Sequence, residues 1–159
     1  MHPNVARIVE TARAAGLEIE VTRFPEGTRT AADAARAVGC TVAQIVKSLV
    51  FMADGTAVVA LVSGANRVDA AKLAVAVGAG AVRRADGDEA RSATGVAIGG
   101  VPPFGHARPI AIVVDRDLMM HDRVWAAAGL PDAVFPIGPD ALVSVSGGRV
   151  ANLAESPTG

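Results

Sequence analysis

The apolar positions of this chain change period several times, and each change marks an element. Val5, Ile8, Val9 and Ala12 recur at helical spacing and Gly16 stops the run, which predicts a first helix over residues 4–15. Residues 17–21 then alternate apolar with acidic, the pattern of a short strand with one wet face. A loop is expected at Phe24-Pro25-Glu26-Gly27. Thr30 with Asp33 three residues on is a capping-box pattern opening a second helix, and Gly39 closes it. Thr41 and Gln44 repeat that spacing, predicting one helical turn. Residues 45–52 follow, apolar on both faces, and read as a buried strand in which Lys47 shares a side with Ile45, Leu49 and Phe51.

Asp54-Gly55 separates this strand from a second apolar run, residues 56–62. Asp-Gly between two β-rich runs predicts a two-residue hairpin turn. Counting back from it pairs Met52 with Ala57, Val50 with Val59, and Lys47 with Val62. Asp69 begins a third helix, residues 70–77, ended by Gly78. Residues 81–83 are strand-like, and Asp86 with Glu89 caps a short helix reaching Thr94. A glycine-rich stretch spans residues 95–106, and residues 110–114 form another buried strand ending in Asp115. Short apolar runs at 124–128 and 133–137 are broken by Gly and Pro. Residues 139–143 look like a last helical turn, and residues 155–159 like a frayed tail. The sum is one domain, residues 1–159, of α+β (mixed α/β) class: a mixed, mostly antiparallel sheet with surrounding helices.

Composition changes this picture little. The chain is 51% hydrophobic but only 3% aromatic, so its core is built from Ala, Val, Leu and Ile. No apolar run reaches membrane-spanning length and no secretory signal is visible, so no membrane partner is expected. A single cysteine, Cys40, fits a reducing cytoplasm. A formal net charge of −1 argues against holding nucleic acid, DNA above all, by bulk charge. Arg67, Lys72, Arg83, Arg84 and Arg91 share one segment, but Asp69, Asp86, Asp88 and Glu89 are interspersed, as on a solvated surface.

Two stretches carry candidate chemistry. Lys47 on an apolar strand either snorkels to water or is aimed into a substrate pocket, because a buried ammonium needs a partner or a cleft. The hairpin count sets it at the end far from the turn, beside Ser63-Gly64, where a site can open. Gly99-Gly100 either marks a tight crossover or brings main-chain N–H groups up to an anionic or polar oxygen, with Pro102-Pro103 holding the loop open. His2, His106 and His121 lack metal-ligand spacing, and no metal or other cofactor is expected. Ser63, Ser144 and Ser146 have no evident triad partners. Asp115 either caps the following turn or enters a cleft, and Trp125 reads as core.

These stretches together resemble the YbaK/EbsC family, free-standing relatives of the editing domain inserted in bacterial prolyl-tRNA synthetases. The resemblance runs from the first helix to Ala151-Asn152-Leu153. It is carried by Thr30-Ala31-Ala32-Asp33-Ala34-Ala35, Gln44-Ile45-Val46-Lys47-Ser48-Leu49-Val50-Phe51 and Asp69-Ala70-Ala71-Lys72-Leu73. Thr94-Gly95, Gly99-Gly100-Val101-Pro102-Pro103-Phe104-Gly105 and Ile112-Val113-Val114-Asp115 complete it. The resemblance implies an editing-domain fold and hydrolysis of the ester joining a wrong amino acid (Cys, Ala, Ser or Thr) to the 3′ end of a tRNA for proline. It sets Lys47 on the lysine that family requires and Gly99, Gly100, Val101, Phe104 and Gly105 on its substrate loop. His106, Phe24, Ser63 and Asp115 are expected pocket walls. The implied partners are the tRNA acceptor end with its amino acid and prolyl-tRNA synthetase, the chain acting as monomer or homodimer. A non-catalytic binder of an aminoacyl group or small metabolite would use the same pocket and is the alternative reading.

Overall fold

The protein is described by a computed structural model covering residues 1–24 and 30–156. The expected loop at 24–27 lies outside these residues apart from Phe24, as do residues 157–159 of the expected tail. Glu155 and Ser156, the first residues of that tail, are tied down: the Glu155 amide donates to the Arg67 carbonyl at 2.8 Å and Ser156 Oγ accepts from Lys72.

Local signals set most element ends. Helices α1 (Pro3–Ala14), α2 (Ala31–Val38), α3 (Ala70–Val77), α4 (Gly87–Thr94) and α5 (Pro139–Ser146) are interspersed among the strands. Thr30 Oγ1 accepts from the Asp33 amide at 3.0 Å, but Asp33 turns to Arg36, so only half of that capping box forms. At α4 the box is complete, Asp86 and Glu89 each accepting the other's main-chain N–H. Left-handed glycines at Gly39, Gly78, Gly95 and Gly147 end α2 to α5.

The strands are β1 (Thr22–Arg23), β2 (Ile45–Ala53), β3 (Thr56–Ser63), β4 (Val82–Arg84), β5 (Ala111–Asp115), β6 (Val124–Ala127), β7 (Ala133–Ile137) and β8 (Arg149–Ala151). They form one sheet in the order β1-β7-β6-β2-β3-β5-β8, with β4 also on β2. Four pairings are antiparallel and three parallel, so the sheet is mixed with an antiparallel majority. The β2–β3 hairpin has the register counted from Asp54-Gly55, including Lys47 opposite Val62, and both turn residues have positive φ (49° and 84°).

Three elements depart from expectation. Residues 17–21 form no ladder. Leu17, Ile19 and Val21 do pack on the core, but the strand partner β7 is met only from Thr22 onward. The last helix runs two turns rather than one, and β8, a three-residue strand directly after Gly147-Gly148, escapes the apolar pattern altogether.

Helices cover both sheet faces. On one, Val46, Val50 and Leu61 pack with Ile8 of α1, Ala90 of α4 and Leu142 of α5. On the other, Phe51 and Val62 meet Leu73 of α3, while Ile45 meets Ala34 and Ala35 of α2. No helix among the described residues is long and apolar enough to cross a membrane.

Candidate functional site

The site arises where strand pairing stops. In a hairpin closed by a two-residue turn, alternate residues point their main-chain groups at the partner strand. Ala53, Phe51, Leu49 and Lys47 therefore face β3, and Met52, Val50, Ser48 and Val46 face the other way. On that second edge β6 pairs only with Ile45 and Val46, and β4 only with residues from Phe51 to Ala53. The Ala85 amide takes the Val50 carbonyl at 3.0 Å. Between these attachments the N–H and C=O of Ser48 have no strand partner among the described residues.

A cavity of about 300 Å³ fills this gap and reaches both sheet faces. That is at the lower end of the roughly 300–1,000 Å³ of small-ligand sites. Its floor is β2 from Ile45 to Val50. Ala34 and Val38 of α2 and Trp125 of β6 wall one end, Arg84 stands at the other, and Gly99, Val101 and Pro131 close over it. Lys47 and Arg84 are the charged side chains of the lining, with no carboxylate among the described lining residues. Such a lining suits an oxygen-rich or anionic ligand with an apolar appendage, and would repel a metal cation. No cluster of three or more His, Cys, Asp or Glu placed to hold a metal occurs among the described residues.

Lys47 is half-buried, and its Nζ donates to the Asn66 main-chain carbonyl at 2.6 Å. An ammonium has three donors, so two remain for the cavity. Burial lowers the Lys47 pKa, the positive charges of Arg67 and Arg84 lower it further, and Asp115 opposes them. Arg84 lies over Phe51, its guanidinium carbon 5.4 Å from the ring centroid. Ser48 Oγ is buried in the lining and is the one such side-chain atom without a hydrogen-bond partner among the described residues. A buried hydroxyl without a partner is costly, so Ser48 adds nothing to stability through its side chain.

The glycine loop behaves differently from the expectation of paired amide donors. Gly99, at φ 101°, lines the cavity. The Gly100 amide is instead used within the loop, donating to the Ala97 carbonyl at 3.2 Å. A Cβ at Gly100 would come 3.0 Å from Leu130 Cα and 3.1 Å from the Gly129 oxygen. Close approach of two backbones thus accounts for Gly100, and Val101 supplies cavity wall.

The other expected wall residues stand elsewhere. Phe104 is core, its ring 5.8 Å from that of Phe135. Gly105 packs against Ile8 and Thr11 of α1. His106 Nε2 lies 2.7 Å from the Pro102 carbonyl, and burial holds its pKa below the ordinary histidine value. Phe24 is half-buried beside β7, its amide donating to Asp132. Ser63, opposite Val46 at the end of β3, and Asp115, at the end of β5, are not among the residues lining the cavity. Asp115 is fully buried and caps the turn that follows it, accepting from the Asp117 amide at 3.0 Å and from the Ser63 amide at 3.1 Å. Trp125 packs on the α2 cluster and also faces the cavity. The Cys40 thiol is pushed up by burial, away from thiolate character.

Sequence reasoning passed over Ser48, Asn66 and the role of Arg84. Ser48 carried one available signal, as the residue after the strand lysine. Arg84 was hidden among surface charges, and nothing near Asn66 in the chain marks it.

Comparison with known proteins adds the following. A model of the aminoacyl-tRNA editing domain matches residues 25–145. A solved structure provisionally named a trans-editing enzyme for prolyl-tRNA synthetase superposes with a TM-score of 0.92 at 43% identity, covering 98% of this chain and 99% of that one. The protein provisionally named Cys-tRNA(Pro)/Cys-tRNA(Cys) deacylase EbsC of Enterococcus faecalis is 26% identical over 151 residues, 94% of this chain and 92% of EbsC. A proline–tRNA ligase of Citrifermentans bemidjiense is 33% identical over 124 residues, 74% of this chain but only 22% of the ligase.

Proposed function

We propose that this chain, which belongs to the aminoacyl-tRNA editing domain family, hydrolyses the ester of mischarged tRNA for proline at the open edge of β2. The observation that carries the reading is the cavity itself, with the Lys47 ammonium and the main-chain groups of Ser48, unpaired on that edge among the described residues, midway along its floor. The ester lies over Lys47, with the terminal ribose and phosphate toward Arg84 and the amino-acid side chain toward α2 and Trp125. Lys47 donates to the ester or ribose oxygens, where negative charge grows as a water attacks the carbonyl carbon. The carbon–oxygen bond to the ribose then breaks, the ribose oxygen takes a proton, and the amino acid leaves as its carboxylate. An aminoacyl ester is already activated, so positioning supplies much of the acceleration.

Similarity to proline–tRNA ligases and to EbsC supports a tRNA for proline as carrier, with the synthetase as working partner in the cytoplasm. The proposed amino acids are Cys, Ala, Ser and Thr. Ala34, Val38 and Ile45 make this end of the lining mostly apolar, with the Trp125 indole N–H and the Thr30 hydroxyl as its polar side-chain groups. A mostly apolar wall favours the small apolar side chains of Ala and Cys over the hydroxyls of Ser and Thr, which give up water there.

The test is deacylation of tRNA for proline charged with Cys, Ala, Ser, Thr or Pro, by wild type and Lys47→Ala. Catalytic release of Ala or Cys by wild type alone is the expected result. Protection of the ester without turnover would instead identify an aminoacyl-binding protein.

A further inference from the structure

Lys47 is held by a loop, residues 63–66, that two side chains tie down: Ser63 Oγ donates to the Ala43 carbonyl at 2.7 Å, and the Asn66 side-chain amide reaches two carboxylates. β3 ends at Ser63, and residues 63–66 curl back toward β2, the Gly64 amide donating to Ile45 at 2.7 Å and the Asn66 amide to Ser63 at 2.9 Å. Asn66 presents its main-chain carbonyl to Lys47 Nζ at 2.6 Å. Its Nδ2 donates to Asp115 Oδ2 and to Asp117 Oδ2, both at 2.8 Å. An amide nitrogen carries two hydrogens, so each carboxylate receives one and the donor is fully used.

We propose that Asn66 is the positioning residue for Lys47: its side-chain amide, clamped between Asp115 and Asp117, fixes the carbonyl that holds the ammonium beneath the cavity. The inference rests on the deacylase reading for its catalytic consequence, though not for its geometry. A neutral acceptor orients an ammonium without cancelling its charge, whereas a carboxylate at the same place would form an ion pair and compete with the substrate. The negative charge is set one residue further back, on Asp115, which is fully buried and also accepts from the Ser63 amide. The charged groups acting on Lys47 are thus Arg67 and Arg84, which disfavour the ammonium, and Asp115, which favours it, with Asp117 joined through Asn66. Asparagine is the residue that fits. Aspartate would bring a third carboxylate and no donor, and alanine would leave Asp115 and Asp117 without this donor while Ser63 and Gly64 still hold the start of the loop.

The experiment compares wild type, Asn66→Ala and Lys47→Ala. One readout needs no activity: NMR titration of the Lys47 side chain through its ε-carbon. The expected result for Asn66→Ala is a lower Lys47 midpoint, because the ammonium loses a fixed acceptor. In deacylation, kcat is expected to fall about tenfold or more with KM within about twofold, the signature of lost orientation rather than lost binding. Asp117→Ala removes one of the two acceptors, leaves the buried Asp115 in place and is expected to shift both readouts less, in the same direction. It serves if Asn66→Ala does not fold. A folded variant whose Lys47 midpoint and kcat match wild type would overturn the proposal. Wild type that hydrolyses no charged tRNA would overturn the deacylase reading, while the lysine titration would still decide the role of Asn66.

Discussion

The two edges of β2 are built from the same nine residues and do opposite work. Toward β3 every residue from Val46 to Ala53 has a partner, and the β3 side chains from Val58 to Ser63 are buried. Toward β6 and β4 the ladder holds only at its ends, and the cavity occupies the interruption. One edge supplies rigidity and the other supplies unpaired polar groups at fixed positions. A ligand on the open edge is therefore held by an element that cannot move without breaking the hairpin. The glycine loop serves the open edge in the same spirit, with Gly100 packed so closely on residues 129–130 that the wall above Lys47 stays in place.

Substitutions on the two edges should separate function from stability. Lys47→Ala, on the floor of the cavity, is expected to lower deacylation by about 100-fold or more. Its folding stability should stay within about 1 kcal/mol, because a partly desolvated ammonium is lost along with its hydrogen bond. Urea unfolding beside the deacylation assay checks both. Leu61→Ala, buried on the closed edge, should reverse the pattern, costing about 2–5 kcal/mol with activity per folded molecule kept.

A pH series sharpens the contrast without mutation. Burial lowers the Lys47 pKa, so the ammonium should be lost at lower pH than from free lysine, whose value is about 10.4. The lysine-dependent rate, taken as wild type minus Lys47→Ala, is expected to fall on that alkaline limb. Stability should move the other way. Between the folded and unfolded midpoints the native state holds fewer protons at Lys47 than the unfolded chain, so this group's contribution rises with pH.

The smallest expected difference is between two serines on facing strands. Ser63 Oγ donates to the Ala43 carbonyl at 2.7 Å, and Ser63→Ala should cost about 1–3 kcal/mol. Ser48 Oγ has no partner, so Ser48→Ala should leave thermal stability unchanged or slightly raised.

What was legible in the sequence was local. Asp54-Gly55 dictated a register that carried Lys47 to the far end of its hairpin, and caps such as Thr30, Asp69 and Asp86 marked helix starts. What was hidden depends on pairings distant in the chain. That β6 leaves β2 after Val46 is decided some eighty residues further on, at Trp125 and Ala126, so the open edge had no signature near Ser48. The same distance hid the partner of Gly100 and the tie from Asn66 to Asp115 and Asp117. Residues 17–21 mislead for a related reason: one-sided burial gives an extended segment the alternation of a strand without a neighbour to pair with.

The central claim is that the aminoacyl end of the substrate lies on the open edge of β2. It is tested most directly by NMR titration of wild type with an alanyl-adenosine analogue whose ester is replaced by an amide. The account predicts shifts concentrated at the amides of residues 46–50, at Arg84 and at Gly99 to Val101, with residues 56–62 on the closed edge little changed. Shifts confined to the shallow surface around Met52, Asp88 and Arg108, with residues 46–50 silent, would contradict it.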